Sequence, residues 1–426
     1  MRKLSLIKYR AYIFLLNKLA DLTNRLARGG ENTVLRGLSR ILKLFHVYYY
    51  PVRHVQELPD GTPIKHITVG KERQGAYSNV VFGDDPTDTA LIPKPLPDLQ
   101  VTEFHDVIIA GQSQYVYDIK SGFILNDFDV WYDELLYENV DTTLRLQKGE
   151  SALLNMRLNE YKREIDEGIM ISGIFAFNYY HTLLENYIKI LACEKAGIPV
   201  SVPFIVDSVY KKYESYQEIL KALNTTGREI ISIDKKECVK VSKLYSVGPV
   251  NILPPQAKDI RNTRAEDVVY DVNYLKELRG RLLQLKSERQ FSKRVFISRK
   301  GNTRRSWNEE AVFELLKREG FQQYSPQDLS FAEQISLFNN AEFIIGGSGA
   351  ALSNLLFCSK GCKVICVYSE RVNIPVFSTL AYMNGATMRY VVGNPIKGSS
   401  VSNTHSDFTV DTSEVQRVLR NMLEGE

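Results

Sequence analysis

Four cations crowd the end of one apolar run, Phe296-Ile297-Ser298-Arg299-Lys300-Gly301-Asn302-Thr303-Arg304-Arg305. Guanidinium groups grip phosphate oxygens in bidentate fashion, and a lysine adds a compact point charge. A solvated surface loop is the plain alternative for such a charge run. Further along, Ala341-Glu342-Phe343-Ile344-Ile345 runs into Gly346-Gly347-Ser348-Gly349 and restarts as Ala350-Ala351-Leu352-Ser353-Asn354. A strand that stops at glycines and resumes as a small-residue helix offers backbone N–H groups, with the Ser348 hydroxyl, at a helix N-terminus, where anions bind. Gly347-x-Gly349 lacks the third glycine of the dinucleotide fingerprint, so by itself the turn equally fits tight packing. Asn354, one turn into the helix, is placed to hydrogen-bond a base, a ribose or a helix neighbour.

A third constellation is Asn178-Tyr179-Tyr180-His181-Thr182-Leu183-Leu184-Glu185-Asn186. His181 and Glu185 are four apart and share a helix face. An imidazole held by a carboxylate can act as a general base on a hydroxyl; an ordinary surface pair has the same spacing. Asp127-Phe128-Asp129 matches the D-x-D pattern of metal-using sugar transferases, but its apolar flanks read better as a strand edge or turn. No other acid or histidine cluster has metal-ligand spacing. Walker, G-x-S-x-G and basic–aromatic nucleic-acid patterns are missing.

The elements that must hold these residues alternate. Residues 46–100 read as loops and short strands, Val101–Ile109 and Phe123–Trp131 as strands, and Ser151–Asp166 as a helix. Glu167–Phe177 is an apolar, β-favouring run, after which Asn178 caps a helix over His181–Lys195 that stops at Gly197. Pro254, Pro255 and the charged stretch Asp259–Glu266 read as a linker, followed by a helix over Asp271–Ser287. Then come a strand Arg294–Ser298, a capping box Ser306-x-x-Glu309 on a helix to Arg318, a strand Phe321–Tyr324, a second capping box Ser330-x-x-Glu333, a strand into Gly346, a helix Ala350–Phe357 and a strand Val364–Tyr368. Strands alternating with helices make a doubly wound parallel sheet, whose strand ends and helix N-termini share one edge. Arg299 and Gly347 should therefore open onto one crevice.

The 426-residue chain carries a net charge of +4, unevenly spread: residues 1–53 hold eleven Lys and Arg against Asp21 and Glu31, leaving the remainder negative. Apolar and basic residues alternate there at helical spacing, and the charge-free run Ala11–Asn17 is far short of the ~20 residues that span a bilayer. Such an arm suits an anionic membrane interface; its other candidate partners are its own domain or a second subunit in a homodimer. Five cysteines, Cys193, Cys238, Cys358, Cys362 and Cys366, with no export signal, suggest a reduced, cytoplasmic chain. The four-residue spacing of the last three fits buried small hydrophobes better than a metal site.

The stretches Asn178–Glu185, Phe296–Arg305, Asn308–Phe321, Leu329–Gln334 and Ala341–Asn354, in this order, resemble glycosyltransferase family 61, whose bacterial members include capsular polysaccharide biosynthesis proteins. The resemblance covers about residues 170–370. It implies a GT-B architecture of two Rossmann-like domains facing across a cleft, and inverting, metal-independent transfer from a nucleotide-diphosphate sugar, with no cofactor. Carried over, Arg299, Lys300, Arg304 and Arg305 become diphosphate contacts, Gly347 to Ala350 the donor turn, and His181 the family's histidine; Gly346 and Asn354 are expected beside the donor from their own positions, and His181 assisted by Glu185 is the expected catalytic base. One position departs: the family usually has a histidine before Gly-Ala in the turn, and here Ser348 can donate to phosphate but cannot carry positive charge or act as a base. The expected layout is a basic helical arm (1–53), an acceptor-side α/β domain (54–260), a nucleotide-sugar domain (261–400) and a C-terminal helix (401–426). The expected acceptor is a glycan or lipid-linked glycan of a surface polysaccharide, and no nucleic acid is involved. Rivals are a pyruvyl- or phosphosugar-transferase and a non-catalytic nucleotide-binding scaffold.

Overall fold

The computed structural model describes residues 2–28, 32–55, 64–83, 91–126, 134–136, 143–253, 264–299, 301, 305–369, 376–396 and 406–424. Asp127, Asp129, Lys300, Arg304 and the linker prolines lie outside them.

Two helices, Arg2–Arg28 and Asn32–Leu44, open the described chain. They seat Leu16, Ala20 and Leu42 on Leu146 and Leu153 of the first sheet. Among the described residues that sheet has twelve strands and is mixed. Its parallel part places Ile230–Ile233, Phe204–Asp207, Arg163–Met170 and Cys238–Val247 side by side. In chain order this reads 3-2-1-4, so the direction of winding reverses between Arg163–Met170 and Cys238–Val247. Cys238–Val247 is inserted between Arg163–Met170 and the antiparallel strand Leu99–Ala110. The expected helix over Ser151–Asp166 is replaced by two strands, Ser151–Leu154 and Arg163–Met170. Ser151–Leu154 is wholly buried between Tyr48–His54 and Leu144–Lys148, and this pairing overrides the weak local helical preference.

The second large sheet orders Gln322–Tyr324, Arg294–Ile297, Phe343–Gly347, Lys363–Ser369 and Thr387–Pro395 in parallel, with Phe408–Thr409 antiparallel at the edge. In chain order this is 2-1-3-4-5-6, and the reversal falls between Arg294–Ile297 and Phe343–Gly347, the two strands that carry the cation cluster and the glycine turn. The helices after these strands take opposite faces. Glu309–Arg318 buries Val312 and Leu316 on one face with the C-terminal helix Thr412–Glu424. Ala350–Phe357 buries Leu352, Leu355 and Leu356 on the other, in a core continuous with Leu183, Leu184 and Ile190 of the first sheet's helical layer.

The expected cap at Ser306 is not used: Asn308 is the N-cap residue, and Glu309 turns its carboxylate toward the neighbouring strand end. The box Ser330-x-x-Glu333 forms as expected on Phe331–Asn340. Gly197 and Gly320 take the left-handed conformation of a helix stop. Cys358, Cys362 and Cys366 are all in the core, and burial pushes the Cys358 thiol up to about 12.

A three-stranded sheet of Tyr270–Asp271, Arg73–Ser78 and Leu91–Leu96 lies beside these layers. Its Arg73 donates from Nε to Asp271 at 2.9 Å and from Nη1 to the Pro97 carbonyl at 3.0 Å, with both charged side chains almost wholly enclosed. Asp271 also caps the helix Val272–Leu283, accepting from the Asn273 and Tyr274 N–H groups. Replacing Arg73 by Met strands a buried carboxylate and should cost about 3–5 kcal/mol of unfolding free energy, measured by urea denaturation; a loss below about 1 kcal/mol would show that the pair is not needed.

Candidate active site

Each winding reversal carries one of the sequence constellations at its C-terminal strand edge. In the first sheet, Arg163–Met170 leads through residues 171–178 into a helix capped by Asn178, whose side chain accepts from the Tyr180 N–H at 3.0 Å. This helix starts as one α turn, Tyr179–His181, widens into a π segment, Thr182–Tyr187, and resumes as Lys189–Lys195. π segments insert a residue and re-aim side chains, often at functional sites. His181 Nδ1 lies 2.8 Å from Glu185 Oε1. In neutral imidazole the proton then sits on Nδ1 and the lone pair on Nε2, ready to accept. The His181 ring stacks on Phe175, with centroids 4.2 Å apart, and meets Tyr180 edge-on. One turn on, burial pushes the Lys189 ammonium down, and the neighbouring Glu185 carboxylate opposes that shift.

In the second sheet, Arg299 directs its guanidinium into the glycine turn and Nη1 donates to the Ser348 carbonyl. Glu309 fixes the strand end by accepting from the Arg299 N–H at 3.0 Å and the Ser298 hydroxyl at 2.5 Å. The Arg299 guanidinium is lowered to about 10, chiefly by burial and next by the nearby Arg305, with Glu309 partly opposing both. Positive charge is thus concentrated where an incoming anion would relieve it.

The turn works differently from the simple expectation. The Ser348 N–H is taken by the Val367 carbonyl at 2.7 Å, and the Ser348 carbonyl by Arg299. Ala350–Phe357 is a 3-10 helix whose first bond runs from the Leu352 N–H to the Gly349 carbonyl, so the N–H groups of Gly349, Ala350 and Ala351 have no acceptor within the helix. Glycine is required here for close approach. A Cβ on Gly349 would lie 2.6 Å from Arg299 Nη1, and one on Gly347 would lie 2.8 Å from Trp307 Nε1. The Trp307 indole is stacked on Phe408, and its buried N–H has no hydrogen-bond partner among the described residues.

Asn354 is enclosed rather than open to the crevice. Its Oδ1 accepts from the Tyr179 hydroxyl at 2.6 Å, and its Nδ2 donates to Gln334 at 3.0 Å. This bond joins the helix that carries His181 to the helix that begins at the glycine turn. Of the expected site residues, Arg299, Arg305 and Gly346 to Ala350 gather at one reversal, and His181 with Glu185 at the other. Lys300 and Arg304 lie outside the described residues. The sequence reading missed Glu309, Trp307, Phe175 and Tyr179; their signal is adjacency to a motif, and their partners are far away in the chain.

Residues 179–365 match the family model described as Glycosyltransferase 61. The protein is a glycosyltransferase. The matched stretch opens at Tyr179, beside His181, spans Arg299, Glu309 and the glycine turn, and ends within Lys363–Ser369. It is less than half of the glycosyltransferase chain, and it leaves out the two N-terminal helices and most of the mixed sheet. No curated protein gives a match.

Gly349 has an extended φ of −178°, so a substitution there tests contact and not backbone strain. Gly349→Ala should displace the Arg299 guanidinium and weaken binding of UDP or GDP at least roughly tenfold by calorimetry; unchanged affinity for both would separate the guanidinium from the donor site.

Proposed function

We propose that this glycosyltransferase moves a sugar, with inversion, from a nucleotide-diphosphate sugar to a hydroxyl of a glycan or lipid-linked acceptor in surface polysaccharide synthesis. The observation that carries the reading is the buried Arg299 guanidinium held in the glycine turn at the second sheet's winding reversal. Ligands of doubly wound sheets bind at such reversals. The two parallel segments, joined near their reversals by Tyr179 and Asn354, support a GT-B-like division into an acceptor side and a donor side.

In the proposed step, His181 Nε2 takes the acceptor hydroxyl proton as the hydroxyl oxygen attacks the anomeric carbon. The bond from that carbon to the diphosphate oxygen breaks, and its electron pair leaves on the diphosphate. Arg299 and Arg305, with Lys300 and Arg304, stabilise this charge together with the N–H groups of Gly349 to Ala351. No resident metal is needed, because guanidinium charge takes that role, and Ser348 contributes its hydroxyl without being a base. Glu185 holds the tautomer and stabilises the imidazolium that forms.

The arm fits a membrane-borne acceptor. Among the described residues no helix is long and apolar enough to cross a membrane. Leu16, Ala20 and Thr23 face the body, while Phe14 (65% exposed), Leu15 (56%), Ile41 (55%), Leu44 (78%) and Phe45 (72%) remain in solvent beside Lys18, Arg40 and Lys43. We place the enzyme at the anionic inner leaflet through this face, in a reduced cytoplasm.

Two variants separate the roles. Arg299→Ala should lose both sugar transfer and the rise in melting temperature caused by UDP or GDP. His181→Ala should keep that stabilisation and lose transfer by at least roughly a hundredfold; full activity would place the base elsewhere, and wild-type turnover in Arg299→Ala would overturn the donor assignment.

For the arm, the full chain should float with phosphatidylglycerol vesicles and leave them as salt rises. Serine at both Phe14 and Leu15 should weaken this at least roughly tenfold. Flotation that ignores both lipid charge and these substitutions would assign the arm to another partner, such as a second copy of the chain.

A further inference from the structure

Between Arg163–Met170 and the His181 helix, the chain makes a short aromatic loop, Ile174-Phe175-Ala176-Phe177-Asn178. Phe175 has φ of +58°, an uncommon backbone state for a bulky residue, and such strain is retained where surrounding structure enforces it. The enforcement is visible. The Asn178 N–H donates to the Phe175 carbonyl at 2.7 Å, and the Thr182 hydroxyl donates to the Ala176 carbonyl at 2.9 Å. The Gly173 N–H and the Ser172 hydroxyl both donate to the buried Asp207. The result is a fixed stack. The Phe175 ring covers one face of the His181 imidazole, and Phe177 stands edge-on to Phe175 with centroids 6.1 Å apart. Phe175 is half-buried, but Phe177 is 41% exposed. Among the described residues Phe177 joins none of the buried apolar clusters, and the loop is pinned on both sides of it.

We propose that Phe177 is the acceptor platform, a ring on which the acceptor's terminal sugar stacks while one of its hydroxyls reaches His181. The inference rests on the glycosyl-transfer reading. A pyranose presents an apolar face of C–H groups ringed by hydroxyls. Those C–H groups suit the negative face of an aromatic ring, while the hydroxyls remain free for a base and for water. A platform displaced from the base by one ring orients the acceptor without blocking Nε2. It also recognises the sugar's face and not its charge, in contrast with the cationic donor side.

Saturation-transfer NMR tests this with methyl β-glucoside, methyl β-galactoside and methyl N-acetyl-β-glucosaminide on the full chain, and with octyl β-glucoside as the tailed comparison. The wild type should transfer saturation to ring C–H protons of at least one methyl glycoside. Phe177→Ala should weaken that binding roughly tenfold, and Phe177→Trp should keep it. UDP- or GDP-induced stabilisation, measured on the same samples, reports separately on the donor reading and should be the same in all three proteins. Equal ring signals in Phe177→Ala, no ring signal from any methyl glycoside in the wild type, or a loss confined to the octyl chain's protons would overturn the platform, whatever the nucleotides do.

Discussion

A guanidinium enclosed by backbone is the constraint around which the second sheet's winding reversal is arranged. Taking a cation out of water is costly unless dipoles and counter-charge replace the solvent. The Ser348 carbonyl supplies one dipole and Glu309 an opposing negative charge, but Glu309 is occupied with the Arg299 N–H and the Ser298 hydroxyl. The close approach in turn dictates Gly349, because any side chain would occupy the guanidinium's place. The winding order of the sheet then decides where this happens, by putting the two strand ends side by side at the one point where the flanking helices diverge to opposite faces.

The first sheet's reversal uses softer means. His181 is oriented by one carboxylate and one aromatic face, on a helix whose π segment sets the spacing. The layers around the two reversals are kept in register by polar bonds between largely buried groups. Tyr179 reaches Asn354, and Asn251 ties the Leu184 carbonyl to the Asp271 N–H. A buried polar bond of this kind adds modest stability but strongly penalises any misfit, so it specifies geometry more than it adds strength.

Much of this was legible in the sequence because it depended on local chemistry. Apolar runs punctuated by glycine, the box at Ser330 and Glu333, and the Asn178 cap all report on residues within a few positions of each other. What was not legible depended on distant partners. Ser306 and Glu309 have the letters of a capping box, yet Glu309 is drawn to the Arg299 strand end and Asn308 takes the cap. Ser151–Leu154 reads as helical until its two partner strands are known. Asn354 sits where a ligand contact belongs in a linear reading, but the fold brings Tyr179 to it from 175 residues away. Ser348 reads in the sequence by its hydroxyl, but in the turn it is the serine's backbone carbonyl that holds the arginine.

The insertion of Cys238–Val247 into the middle of the first sheet has a consequence for how the chain is made. This strand separates Arg163–Met170 from Leu99–Ala110, yet it is synthesised after both. Until it leaves the ribosome, each of those strands has an open edge, and the sheet that supports the His181 helix is split into two unjoined parts. Open edges of apolar strands are templates for pairing with other chains. Nascent chains stalled before residue 238 should therefore be the form of this protein that most needs a chaperone.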